Sequence, residues 1–167
     1  GGMIDIVAES FDAGVRLGQQ VAKDMIAVRI SADIRVCMVA TSGYLVKHGR
    51  PQAPEDLTQH RCINVRMPTH SGLFAWELEK DGEETRVRVD GPVVFNSLPL
   101  RLASALDGIG IGYMPLDQAE PHLKAGQLVP VLEDWWPVWE GYHLYYPNRR
   151  QMSPAFRLLI DHLRHRA

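Results

Sequence analysis

Several features that define other protein classes are missing from this 167-residue sequence. No apolar run approaches the roughly 18 consecutive residues that a membrane-spanning helix needs, and no basic start followed by a hydrophobic stretch suggests a secretion signal. An excess of one charge is also lacking, because 18 basic side chains stand against 20 acidic ones. Such a balance argues against a nucleic-acid-binding surface within this chain. We therefore expect a soluble, cytoplasmic domain, or a closely joined pair of lobes, with no membrane contact and with any DNA contact made elsewhere.

Cysteine is scarce as well, with only Cys37 and Cys62 in the chain. Both lie in apolar, strand-like surroundings that suit small core residues. The pattern favours buried free thiols in a reducing compartment over a disulfide between the two.

The residues that are present alternate short apolar runs with helical patterns separated by Gly and Pro, which is typical of a mixed α/β domain. Runs rich in β-branched and aromatic residues predict strands at residues 12–17, 25–30, 34–39, 62–67, 74–80, 83–89, 93–95, 109–113, 128–132 and 142–146. The dipeptide Asp81-Gly82 predicts a two-residue hairpin turn.

Capping residues and periodic apolar positions predict the helices. We expect helices that are capped by Ser42, by Asn96 or Ser97, and by Ser153, and helices that begin at Pro54 and Leu116. The last helix is predicted to face the core with Phe156, Leu159, Ile160 and Leu163.

The usual signatures of catalytic and metal sites are absent from the sequence. There is no His-Glu-x-x-His pattern, no Cys-x-x-Cys pair and no Gly-x-Ser-x-Gly elbow, so we predict no catalytic residue and no metal ligand. His162 and His165 could share a metal by their spacing, but a solvated basic helix end is favoured. The same interpretation covers His48 and His60.

Two further patterns invite a functional interpretation and have a simpler one. The glycines at 108, 110 and 112 follow a helix and lie in a strand, so close strand-to-helix packing is favoured over a dinucleotide-binding turn. Trp135, Trp136 and Trp139 form an aromatic segment for which we favour a core-covering role. Stacking on a ligand or sealing a partner interface remains the alternative.

Two polar segments are the candidate binding sites. The loop Thr69, His70, Ser71 and Gly72 combines hydroxyls, an imidazole and a flexible glycine between two predicted strands, which suits a small anion or polar ligand. Asn96 and Ser97 stand at a helix start, where unpaired amides can meet an anion. An ordinary turn and simple helix capping are the respective alternatives.

A set of short motifs, in order along nearly the whole chain, strongly resembles the effector-binding domain of LysR-type transcriptional regulators. The motifs lie at residues 11–18, 24–27, 42–45, 48–51, 54–57, 60–63, 72–76, 105–112, 128–135 and 141–147. They include Ser42-Gly43-Tyr44-Leu45 with His48-Gly49-Arg50-Pro51.

The resemblance implies a two-lobed α/β fold of the periplasmic-binding-protein type 2-like kind, joined by two crossover strands. Residues 1–34 would form part of the first lobe and the first crossover, residues 35–138 the second lobe, and residues 139–167 the second crossover and a C-terminal helix that returns to the first lobe. The first lobe is expected to be incomplete, because the family's winged helix-turn-helix, linker helix and opening strand and helix have no counterpart before Ile4.

For function, the resemblance implies a small effector, often a carboxylate or an aromatic compound, bound between two lobes. It places the 69–71 loop and Asn96, Ser97 and Leu98 at the effector, with Arg16 and Leu17 ending a first-lobe strand beside it. A homodimer or homotetramer is implied, DNA binding only through the family's N-terminal domain, and no cofactor. A solute-binding protein of a transport system, which shares the architecture, is the alternative, and an enzyme is not favoured.

Overall fold

The computed structural model describes residues 11–17, 24–66, 72–148 and 151–166. Within these ranges the strands are β1 (Gly14–Leu17), β2 (Met25–Arg29), β3 (Ile34–Ala40), β4 (Ile63–Val65), β5 (Trp76–Lys80), β6 (Glu83–Val87), β7 (Val93–Phe95), β8 (Gly112–Pro115), β9 (Val129–Val131), β10 (Val138–Trp139) and β11 (Tyr142–Pro147). The α-helices are α1 (Ser42–His48), α2 (Leu98–Leu106), α3 (Leu116–Lys124) and α4 (Pro154–Leu163), and 3₁₀ helices span Pro54–Gln59 and Glu133–Trp135.

The chain forms two compact units. The first unit takes its residues from 3–34 and 139–167, and the second from 35–138. The chain passes from one unit to the other within β3 and again within β10.

The first unit is built on an antiparallel sheet with the strand order β1, β11, β2. Helix α4 packs on this sheet through a shared core of Val28, Leu144, Tyr146, Phe156 and Ile160. As predicted, the Ser153 hydroxyl caps α4, accepting a hydrogen bond from the Phe156 amide at 3.1 Å. The inward position predicted for Leu159 is wrong, since that side chain is 47% exposed. The residues of α4 that contact the sheet are Phe156 and Ile160, one helical turn apart, and Leu159 lies to the side of this pair.

The second unit centres on β3, whose residues Val36 to Ala40 are fully buried. β3 pairs antiparallel with both β8 and β9. The chain beside β8 joins β4 through a parallel bridge between Cys62 and Ile111, and β4 pairs in parallel with β7. A strand that is buried on both faces has a continuous apolar sequence, and such a run at residues 34–39 allowed β3 to be predicted.

Glycines permit the close backbone approaches in this unit. A Cβ added at Gly110 would collide with the Arg61 carbonyl oxygen, and one at Gly91 would collide with the Cys62 carbonyl oxygen. At Gly112 an added Cβ would lie 3.2 Å from the Cβ of Ala105 in α2. The strand-to-helix packing predicted for these glycines is therefore confirmed at Gly112, whereas at Gly110 the close neighbour is the Arg61 backbone, just before β4.

The hairpin predicted around Asp81-Gly82 is confirmed as the pair β5 and β6. Asp81 and Gly82 have φ angles of 54° and 79°, the positive values that such a two-residue turn requires. The strands are shorter than predicted, and Trp76 and Leu78 on β5 are buried.

Two helix starts differ from the sequence prediction. The cap of α1 is Thr41 rather than Ser42, because the Thr41 hydroxyl accepts a hydrogen bond from the Tyr44 amide at 3.1 Å while Ser42 is already the first helical residue. Ser97 occupies the cap position of α2 as predicted, but its side chain makes no capping hydrogen bond.

Of the aromatic segment, Trp136 is buried in the second unit, in line with the core-covering role favoured from the sequence. The Trp136 Nε1 donates to the Val131 carbonyl oxygen at 2.9 Å. The Arg35 guanidinium lies over the Trp136 ring at 5.2 Å from its centroid. None of the helices in the described ranges has both the length and the apolar character needed to cross a membrane.

Burial should make both cysteines unreactive. Cys37 and Cys62 are free and buried, as predicted, and burial raises the pKa of each thiol to about 12. Because the thiolate is the reactive form, we expect native protein at about pH 8 to react with iodoacetamide far more slowly than protein unfolded in guanidinium. Mass spectrometry of timed samples measures this. Rapid alkylation of either native cysteine would contradict the burial.

Removing the Thr41 cap should destabilise the protein. Thr41→Ala leaves the Tyr44 amide without its acceptor, so we expect the free energy of unfolding in urea to fall by about 1 kcal/mol. Ser42→Ala is the matched control and should change it by less than about 0.5 kcal/mol, because Ser42 is exposed. Equal losses in the two variants would show that Thr41 is not the cap.

Candidate functional site

The parallel pairing of β4 with β7 creates an edge at which both strands end. The pairs Ile63 with Val93 and Val65 with Phe95 fix the register, so both strands end on the same side of the sheet. The Arg66 amide donates to the Phe95 carbonyl oxygen at 3.2 Å just beyond this pairing. Ligands of open α/β sheets commonly bind outside the carboxyl ends of the strands.

The loop after β4 begins and ends at this edge. Arg66 on its near side is bridged to Leu73 on its far side, and the Phe74 amide donates to the Val65 carbonyl oxygen at 2.9 Å. Of the predicted loop residues, Gly72 is exposed next to Leu73, whereas Thr69, His70 and Ser71 lie outside the described residues.

The second predicted segment follows β7 directly. Asn96 is exposed, and Ser97 and Leu98 are half-buried where α2 begins. The edge therefore brings Arg66, which is bridged to Leu73, against Phe95, the residue before Asn96, although these segments are far apart in sequence. Arg16 and Leu17 lie in β1 of the first unit, where the Arg16 guanidinium sits over the Tyr145 ring at 4.8 Å.

The start of α2 has a serine hydroxyl, on Ser97, that does not cap the helix, and it has no acidic side chain in its first turn, although Pro99 removes one amide donor. Such a helix start has a partial positive charge from its unpaired amides. An anion or another hydrogen-bond acceptor would fit beside it.

Arg101 is a candidate residue that the sequence analysis missed. It extends from the first turn of α2, is half-buried, and donates from Nη1 to the Tyr113 carbonyl oxygen at 2.7 Å. Its Nε is buried and has no hydrogen-bond partner in the part of the chain that the structure describes. Burial is also the main cause that lowers the pKa of Arg101.

A sequence signal for Arg101 was available. Ser104 and Ala105 are the buried residues of α2, and Arg101 precedes them by one helical turn. A charged residue one turn from a buried position lies on the inward face of a helix. The sequence itself carries this spacing, because Arg101 lies three residues after Leu98 and four before Ala105.

Two other buried polar atoms lie on a different face of the sheet. Asn64 Oδ1 and Trp76 Nε1 have no hydrogen-bond partner among the described residues. Asn64 follows Cys62 by two residues and Tyr113 follows its bridge partner Ile111 by two, so Asn64 and Tyr113 point to the same face. Trp76 stacks on the Tyr113 ring at 5.0 Å, which places this face beneath the hairpin. Residue Gly112, by contrast, faces α2.

His48 is exposed at the end of α1 as predicted, whereas His60 is half-buried in a cluster with Tyr44 and is not the solvated helix end that was predicted. His60 Nδ1 lies 2.8 Å from the Tyr44 hydroxyl, which also accepts a hydrogen bond from the Arg61 amide at 3.0 Å. The Tyr44 ring stacks on His48 at 4.6 Å. Burial, followed by the nearby His48, lowers the pKa of His60, and burial raises the pKa of Tyr44. These contacts fit a neutral His60 ring whose Nδ1 accepts a hydrogen bond from the Tyr44 hydroxyl.

Metal ligation finds no support in the described ranges. No group of three or more His, Cys, Asp or Glu side chains is placed there to hold an ion. His162 and His165 are both exposed near the end of α4.

Comparison with known proteins identifies the family. The sequence matches the model of the family described as LysR substrate binding domain over residues 1–167. It is 49% identical over 164 residues to a Pseudomonas aeruginosa protein whose description as a transcriptional regulator is provisional. It is 42% identical over 165 residues to the HTH-type transcriptional regulator PgrR of Escherichia coli. These alignments cover 98% and 99% of this chain but 54% and 55% of the relatives, so the chain spans about half their length.

Solved structures are similar to this fold as well. Full-length AphB of Vibrio cholerae, described as a virulence activator of the LTTR protein family, superposes with a TM-score of 0.75 at 26% identity, covering 96% of this chain and 53% of that one. The two-lobe α/β fold of the periplasmic-binding-protein kind is therefore confirmed. The chain belongs to the LysR substrate-binding domain family.

Proposed function

We propose that this chain is the effector-sensing regulatory domain of a LysR-type transcriptional regulator. The observation that supports the proposal is that β4 and β7 end side by side, with Arg66 bridged to Leu73 and with Asn96 and Ser97 directly after β7, in a chain of this family. A concentration of hydroxyl groups and backbone amides at one edge suits a small polar ligand. The named relatives are transcriptional regulators, which supports this role over transport and over catalysis.

The effector is a small metabolite, either a carboxylate or an aromatic compound. A carboxylate is favoured by the start of α2, which has no acidic side chain in its first turn. The placement of the effector between two lobes, with Arg16 and Leu17 beside it, stays a prediction from the family resemblance.

Regulation needs only a shift between two arrangements of the protein. An effector that binds one arrangement better than the other moves the population toward it, and a coupling of about 1–3 kcal/mol changes a second affinity roughly 5–150-fold. In the complete gene product we expect a homodimer or homotetramer in the cytoplasm. DNA would be bound through a winged helix-turn-helix, as in regulators of this family, and not through residues 1–167.

Removing the loop hydroxyls should impair effector sensing. In the complete gene product, Thr69→Ala with Ser71→Ala removes two donors to a polar ligand, and we expect affinity to fall roughly tenfold or more if the ligand is charged. A screen of small metabolites by thermal shift, followed by calorimetric titration, measures the change. Ser42→Ala is the matched control, because it removes an exposed hydroxyl elsewhere in the second unit. Unchanged affinity and an unchanged transcriptional response in the double variant would contradict the loop assignment.

Ser97 should affect binding more than stability. Its side chain makes no capping hydrogen bond, so we expect Ser97→Ala to change the free energy of unfolding by less than about 0.5 kcal/mol. The affinity for the effector found in the screen should nevertheless fall. A loss near the 1 kcal/mol typical of a capping residue, with unchanged affinity, would assign Ser97 to capping alone.

DNA binding separates the regulator from the transport alternative. We expect the complete gene product to retard its own promoter DNA in a mobility-shift experiment, and the effector to change the affinity or the footprint. A gene product that binds a solute tightly but never binds DNA would support the transport protein instead.

A further inference from the structure

We propose that Arg101 is the anion-binding residue of this site, and that its guanidinium binds the carboxylate of a small organic acid. The inference rests on the proposed function, because it takes the edge formed by β4, β7 and the start of α2 as the effector site. It goes further by assigning the charged group of the ligand and the side chain that recognises it.

Arg101 is held at this edge by the path of α2. The helix leaves the carboxyl end of β7 and leads to β8, and its contacts with β4, β7 and β8 place it across these strands. Arg101 lies in its first turn, and the hydrogen bond from Nη1 to the Tyr113 carbonyl oxygen fixes the guanidinium against β8. The cationic group is therefore fixed near the strand ends and does not extend into solvent.

The charge of Arg101 has no counterion among the described residues. The ion pairs found there join Arg29 with Asp33, Arg86 with Glu77 and Lys124 with Glu120. Arginine stays protonated in proteins, and a partly buried cation without an anionic partner is costly. Burial is also the first cause that lowers the pKa of Arg101. A bound anion would remove the cost of the unpaired charge.

Arg101 also has unused hydrogen-bond donors. Nη1 donates a hydrogen bond to the Tyr113 carbonyl oxygen, whereas the buried Nε has no acceptor in the described ranges. A carboxylate presents two oxygens that match parallel N–H groups of a guanidinium. The positive end of α2 adds to the attraction. A single cation suits a carboxylate better than a phosphate dianion, which calls for more positive charge.

A structural alternative makes a different prediction for the ligand-free protein. If Arg101 served only to satisfy the Tyr113 carbonyl, its removal would weaken the fold. If the guanidinium of Arg101 instead binds an anionic ligand, Arg101→Met removes an uncompensated cation from the ligand-free protein while keeping an apolar side chain. The urea unfolding midpoint of ligand-free Arg101→Met should then equal or exceed that of the wild-type protein.

The binding test uses the complete gene product and pairs of acids with their amides. Acetate, succinate and benzoate are each compared with acetamide, succinamide and benzamide by thermal shift and titration, up to about 50 mM, and inorganic phosphate is a further probe. We expect at least one carboxylate to bind saturably while its amide does not. Arg101→Met should weaken that binding roughly tenfold or more, and Arg101→Lys should restore it only in part. Arg86→Met, which removes an exposed cation of the same unit, should have no effect.

Each other outcome has a definite meaning. The inference is overturned if no carboxylate binds, if the amides or phosphate bind as well as the acids, if Arg101→Met binds normally, or if the ligand-free variant is less stable than the wild type. An effector response that persists in Arg101→Met overturns this inference and leaves the regulatory function standing. If a carboxylate binds in an Arg101-dependent way but does not change DNA binding, this inference stands and the regulatory function is contradicted.

Discussion

The parallel pairing of β4 with β7 is the constraint on which the candidate site depends. Parallel strands cannot be joined by a tight turn, so the chain must leave the sheet after β4 and return before β7. It forms the β5 and β6 hairpin on the way and continues afterwards into α2. The same pairing brings both strand ends to one edge, from which Asn96 and Ser97 lead into α2. Gly91 and Gly110 make the arrangement possible, because the carbonyl oxygens of Cys62 and Arg61 occupy the space that their side chains would need.

Two clusters in the second unit show how a perturbed pKa can have opposite meanings. Tyr44, His60 and Arg61 form a closed network in which the hydroxyl both donates and accepts, so the lowered pKa of His60 reflects a stable neutral ring. Burial lowers the pKa of Arg101 as well, yet its buried Nε has no acceptor among the described residues. A closed network stabilises the fold, whereas a charged group with unused donors supports the ligand role that we propose for Arg101. The distinction depends on the complete set of hydrogen bonds and not on the titration alone.

Local sequence patterns predicted most elements, and long-range contacts account for the rest. Asp81-Gly82 determines a turn by its own backbone preferences, and Ser153 followed by Pro154 defines a helix start within four residues, so both predictions were correct. Whether Thr41 or Ser42 caps α1 depends on which of them takes helical geometry, and composition does not decide this. His60 resembled a solvated residue because its partner Tyr44 lies 16 positions away in sequence. Pairing across such distances is set by the fold.

The polar edge has a consequence for how a ligand could control the protein. Regulation depends on the difference in affinity between two arrangements, and a tight ligand with equal affinity for both changes nothing. Because Arg101 has no counterion among the described residues, its burial is costly in the ligand-free protein, and an arrangement that hydrates its guanidinium would compete with the one seen here. An anion that fits the guanidinium removes this disadvantage in one arrangement only, because donors buried against Tyr113 are fixed in direction. One charged side chain, held at the end of a parallel strand pair, can therefore supply the differential affinity that a sensor requires.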